Sequence, residues 1–151
     1  MNILLRITGV LFIFIITTLL TPFTTDNFLI NTIYVVSGIM FSVGMSAIFN
    51  FNLNGINNKQ VINQVRDNIN GVKKSFIFNF ILSTLSFILD NVLKSKNIIA
   101  FPIAFKEKIG EINFSILFFL IVLYTIIYFI INFNEIKRLN DDIYDEVNKI
   151  L

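Results

Sequence analysis

The chain contains no cysteine, no histidine and no tryptophan. Without thiols or imidazoles it has no disulfide framework, no zinc site of the usual kind, no thiol nucleophile and no imidazole acid–base group. Without tryptophan, anchoring at a lipid–water boundary falls to tyrosine, phenylalanine and lysine. Charge of one sign is scarce too. Twelve Lys and Arg against ten Asp and Glu leave a net +2, too little to hold nucleic acid through counterion release. Only six glycines and two prolines interrupt 151 residues, and no glycine-rich phosphate loop appears among them.

What fills the chain is apolar: 55% of its residues are hydrophobic and the mean hydropathy is +0.76. A soluble domain of this size cannot hide so much oily surface. The apolar residues fall in four runs, about 3–21, 28–49, 75–93 and 112–133. At about 1.5 Å per residue, a helix of ~20 residues crosses the ~30 Å hydrocarbon layer. The expected fold is therefore all-α: an integral membrane four-helix bundle forming one domain, residues 1–133, followed by a tail helix over 134–151.

The first run, opened by Arg6, lacks a small-x-small cleavage site. It reads as an uncleaved signal-anchor helix, stopped by Pro22. The Thr21–Asn27 link is short and carries no Lys or Arg, which makes the first two spans antiparallel neighbours. Cytoplasmic segments collect basic residues. With both termini inside, eight of them lie on the inner side and four on the outer. The expected location is a bacterial inner membrane, with the second link and the tail in the cytoplasm. In the third link, Asn97–Phe105 is apolar but too short to span; it reads as a greasy loop on the bundle's outer end, as a segment in the headgroup plane or as a re-entrant turn.

Two segments are amphipathic. Val61, Val65, Ile69 and Val72 recur at helical spacing and predict a cytoplasmic helix over about 58–72, punctuated by Asn54-Gly55 and Gly71. In the tail, Ile136, Leu139, Ile143, Val147 and Ile150 continue a similar spacing, with Asp141, Asp142, Asp145 and Glu146 among them. No Gly or Pro breaks Ile112–Leu151, so one long helix can pass from membrane to cytoplasm. These stripes either pack on each other in a small cap, or form a short coiled-coil seam between copies, or dock a cytosolic protein.

Inside the apolar runs, small and polar residues are patterned. Gly38, Ser42 and Ser46 recur in steps of four and read as a helix-packing seam, within the chain or between copies. Ser75, Asn79, Ser83, Ser86 and Asp90 share one face of the third span. An amide and a carboxylate are costly against lipid, so this stripe faces protein or water: an interhelical hydrogen-bond seam, or the lining of a pore. Lys94, one turn beyond Asp90, is its expected ion-pair partner. Tyr124 and Tyr128 sit one turn apart near mid-helix and need hydroxyl partners inside the bundle.

No cluster of nucleophile, metal ligands or paired carboxylates supports an enzyme, and no paired repeat with broken helices supports a transporter. No cofactor is expected. Three classes remain: a membrane sensor or anchor that holds a cytosolic partner, a small pore-forming effector, and an immunity protein against a pore-forming bacteriocin. Four spans, both termini inside, a short first hairpin and an acidic helical tail resemble the small membrane subunit of the Kiwa anti-phage system. The same layout resembles four-span colicin immunity proteins. The Kiwa resemblance implies a homo-oligomeric membrane sensor of envelope disturbance that works with a separate DNA-binding effector and touches no nucleic acid itself. It carries no residue roles onto this sequence.

Overall fold

The computed structural model describes residues 9–10, 12–17, 26–54, 56, 58–96, 100–105 and 108–149. Helix α1 covers residues 12–17, α2 runs Asn27–Phe49, α3 Lys59–Ser95 and α4 Phe114–Lys149. Between α3 and α4 lies an antiparallel hairpin, β1 (Ala100–Phe105) with β2 (Lys108–Asn113), paired from Ala100↔Asn113 to Phe105↔Lys108. Apart from this hairpin, the regular structure among the described residues is helical. The hairpin stands where the sequence suggested a loop, a headgroup-plane segment or a re-entrant turn. Three helices, α2, α3 and α4, are long and apolar enough to cross a membrane. The rest of the expected first span, Pro22, Gly55 and most of the Thr21–Asn27 link lie outside the described residues.

The expected cytoplasmic helix and the third span are one rod. The side chain of Asn58 caps its start, accepting from the backbone N–H of Gln60 (2.9 Å) and Val61 (3.4 Å). Gly71 was expected to end a helix, yet α3 continues through it. A glycine in a helix interior costs only ~1 kcal/mol relative to alanine, and no proline follows to break the ladder. The 37 residues of α3 and the 36 of α4 correspond to about 54–56 Å each. Asn113 caps α4 through the Ser115 N–H at 2.9 Å.

The chain direction of the three long helices is fixed by their contacts. Ser37 meets Thr125, and the Asn52 N–H meets the Asn140 side chain; both pairs are 88 residues apart, so α2 runs parallel to α4. α3 runs against both: Tyr34 stacks on Phe87 and Phe41 on Phe80, each at 4.3 Å between ring centroids, and Phe76 packs on Phe129 at 4.9 Å. The buried face of α2 is Ile30, Ser37, Gly44 and Ile48. Seven-residue steps keep one face toward a neighbour crossing at a shallow angle.

Below the midpoint, Ile48, Phe76, Phe129 and Ile136 form the apolar core, with Ile69 and Val72 against it. Large apolar side chains also cover the outside: Phe28 is 76% exposed and Phe78 66%. Exposure on that scale is consistent with a lipid-facing surface and with the three helices long and apolar enough to cross a membrane.

Gly44 is required by this packing. A Cβ there would run into the Phe76 ring, whereas one on Gly38 would meet nothing within 4 Å. Gly44→Ala should therefore destabilise the folded protein in detergent micelles by about 1–3 kcal/mol. Gly38→Ala should leave its unfolding midpoint unchanged or raised. Equal midpoints for the two variants would contradict the α2–α3 contact.

Candidate functional site

The polar stripe of the third span turns inward. Asn79, Ser83, Ser86 and Asp90 are all buried, and two further helices bring Ser37, Ser115 and Thr125 to meet them. Proton counting orders the middle of this seam. Thr125 spends its one hydroxyl proton on the Val122 carbonyl at 2.7 Å, so Ser37 must donate to Thr125 across 3.3 Å. Ser83 must then donate to Ser37 across 3.2 Å. The result is a directed chain, Ser83 to Ser37 to Thr125 to backbone, that ties α3, α2 and α4 together. Beside it, Thr84 gives its proton to the Phe80 carbonyl at 2.9 Å, so the Tyr34 hydroxyl donates to Thr84 across 3.2 Å.

Toward the hairpin end sits a fully buried carboxylate. Asp90 takes the Lys94 ammonium at 2.8 Å on one oxygen and the Ser115 hydroxyl on the other. The Lys94 side chain is 20% exposed, and Asp90 is closed off entirely. Ser115 directly follows the first residue of α4, so this carboxylate clasps the ends of α3 and α4 at the base of the hairpin. Asn79, at the other end of the stripe, turns its amide back to the Ser75 carbonyl at 2.8 Å. Tyr124 and Tyr128 lie half-buried, their rings 6.3 Å apart.

The Gly38/Ser42/Ser46 face points away from the other two helices. Ser42 donates to the Gly38 carbonyl at 3.0 Å, Ser46 accepts from Asn50 at 3.2 Å, and both serines are exposed. Gly38 and Ser42 border an open groove with Val35 and Phe80. The small residues that the chain packs on itself are instead Ser37 and Gly44.

The tail divides. Ile136, expected on a docking stripe, is closed inside the chain's own core beside Ile69 and Val72. The cause is the parallel register of α2 and α4, which sets Ile136 against Ile48. Leu139 and Ile143 are half-buried, and Asp141, Asp142 and Asp145 are exposed together with Tyr144. The side chains of Val147 and Glu146 lie outside the described residues. Sequence reasoning missed Ser37, Thr125 and Ser115. The signal for Ser37 was its seven-residue step to Gly44; the other two are isolated polar residues in an apolar run and gave none.

Among the described residues no group of three metal-binding side chains converges. The seam holds helices together, and the paired charge sits at one end. No family model, curated protein or solved structure matches this chain.

Each seam hydroxyl should be worth ~0.6–2 kcal/mol. Ser83→Ala should lower stability in micelles by that amount. Asp90→Ala should cost clearly more, because it removes both the clasp on Ser115 and the partner of Lys94. Chemical unfolding of Asp90→Ala, Ser115→Ala and the Asp90→Ala/Ser115→Ala double variant measures the coupling. Strict additivity would show that the clasp is not formed.

Proposed function

We propose that this chain is an oligomeric membrane subunit that couples a bilayer to a soluble cytosolic protein. Its setting in this reading is the inner membrane of a bacterium, with both termini in the cytoplasm and a role in anti-phage defence. One observation supports the coupling: α3 and α4 run unbroken past the ends of their apolar runs and pack on each other there. Their apolar spans account for ~30 Å of about 55 Å. The remainder is a two-helix stalk, joined by Ile69, Val72 and Ile136 and tipped by exposed Asp141, Asp142 and Asp145. That tip suits a basic protein surface. The outward Gly38/Ser42/Ser46 face supports lateral association of copies, since small residues let helix backbones approach in lipid. The polar stripe supports a scaffold more than a pore, because Asn79, Ser83 and Asp90 spend their bonds on partners within one chain.

The absence of cysteine makes the topology directly measurable. Single cysteines at Ser95 and Asp145, both exposed, should differ in labelling by a membrane-impermeant maleimide. Ser95→Cys should react in intact cells and Asp145→Cys only after permeabilisation; labelling from the same side would overturn the orientation. Reversing the tip with Asp141→Lys, Asp142→Lys and Asp145→Lys should abolish co-purification of a soluble protein encoded beside this chain and abolish phage resistance. Insertion should be unaffected. Unchanged capture and resistance would refute docking through the tip.

A further inference from the structure

The stalk is not uniformly charged. Its tip is acidic on α4, while its base carries Lys73 and Lys74 on α3 and Lys137 and Arg138 on α4. These four residues share one level of the molecule. Val72 and Ile136 belong to a single packed cluster with Ile48, and each cation lies within two residues of one of them. That level is also where the apolar runs of α3 and α4 end. Lys74, Lys137 and Arg138 are exposed, and Lys73 is half-buried with its ammonium 4.9 Å above the ring of Phe49. Phe49 itself is 68% exposed at the last position of α2. An exposed aromatic ring under a lysine, at the end of an apolar helix, is the arrangement expected at a headgroup boundary.

The acids facing this level are Asp67 on α3 and Glu135 on α4, both exposed. Among the described residues none of the four cations forms an ion pair. The opposite membrane end is different: there Lys94 is committed to Asp90.

We propose that Lys73, Lys74, Lys137 and Arg138 form a collar that binds the phosphate headgroups of anionic phospholipids. The charge order along the stalk favours lipid over an acidic protein. The cations sit against the apolar layer and outnumber Asp67 and Glu135 at their own level, and on α4 the acids of the tip begin three residues after Arg138, ~5 Å further along. An anionic surface therefore attracts the base and repels the tip, holding the stalk upright. Basic residues are attracted to such a surface within a Debye length of it. The inference rests on α3 and α4 crossing the bilayer and is independent of any protein partner.

The test uses the full chain in nanodiscs of phosphatidylcholine with phosphatidylglycerol, followed by native mass spectrometry of the lipids retained on detergent extraction. Wild type should retain phosphatidylglycerol over phosphatidylcholine by about tenfold or more. The variant Lys73→Gln/Lys74→Gln/Lys137→Gln/Arg138→Gln should lose that preference while unfolding at the wild-type temperature in pure phosphatidylcholine. The two pairwise variants should each lose part of it, which keeps the test decisive if the fourfold variant does not fold. Removing Lys59 and Lys96, exposed and distant from the collar, should leave the preference intact.

No preference in wild type, or an equal loss in the distant variant, overturns the collar. Release of the lipid by inorganic phosphate, but not by chloride at equal ionic strength, would assign the cations to a free anion and also overturn it. A chain that floats with neither kind of vesicle would instead refute the membrane reading itself.

Discussion

A carboxylate, an amide and five hydroxyls are buried where hydrocarbon offers no hydrogen-bond partner, and this constraint decides how the helices sit. Each such group left unpaired in lipid costs several kcal/mol. α3 cannot turn Asn79, Ser83, Ser86 and Asp90 outward, so its rotation is set. Ser37 and Thr125 are then placed by the need to complete the chain of donors, which fixes α2 and α4 around it. Apolar packing alone would set these helices loosely, since lipid tails are as oily as leucine and little is gained by exchanging one for the other. The polar seam supplies direction, and the close approach of Gly44 to Phe76 supplies contact.

This division explains which parts of the fold were legible in the sequence. The third-span stripe was visible because polar residues at helical steps stand out in an apolar run. Its inward orientation followed from cost alone. The packing face of α2 was not visible. Ile30, Ser37, Gly44 and Ile48 share no chemical type, whereas Gly38, Ser42 and Ser46 do, and the conspicuous set lies on the face turned outward. Gly71 misled for a related reason: a glycine signals a break only when a second breaker accompanies it, and α3 supplies none. The hairpin of residues 100–113 was not foreseen, because a short apolar segment bounded by lysines fits a loop, a headgroup-plane segment and a strand equally well. The amphipathic stripes were legible as faces, but their pairing depended on a register that no local pattern records.

The core is also graded along its length. Hydroxyls and the Asp90–Lys94 pair occupy the half near the hairpin, and Phe76, Phe129, Ile48 and Ile136 fill the half near the stalk. Hydrogen bonds are directional and tolerate little displacement, while ring and aliphatic contacts slide at small cost. The hairpin end is therefore the stiffer one. Ser42 and Ser46 stand apart from the seam and from the stalk contacts, so the lateral association proposed above would not disturb how each copy is held together.

A stiff seam joined to unbroken rods has a mechanical consequence. From the middle of its apolar run, near Tyr124, to its last residue, α4 extends 25 residues without Gly or Pro, about 37 Å. A change of tilt of about 10°, within the range that bilayer thickness imposes on spanning helices, displaces the far end by roughly 6 Å. α3 runs alongside and the two are packed at Ile69 and Ile136, so the stalk swings as a unit rather than bending at the membrane surface. Displacement on that scale exceeds the reach of a hydrogen bond or an ion pair. A protein held at the acidic tip by such contacts would lose or gain them when the bilayer changes, with no bond made or broken in the membrane. Coupling of this kind needs no titrating group, metal or bound ligand. It fits a chain whose buried polar groups, among the described residues, are hydroxyls, one amide and one carboxylate.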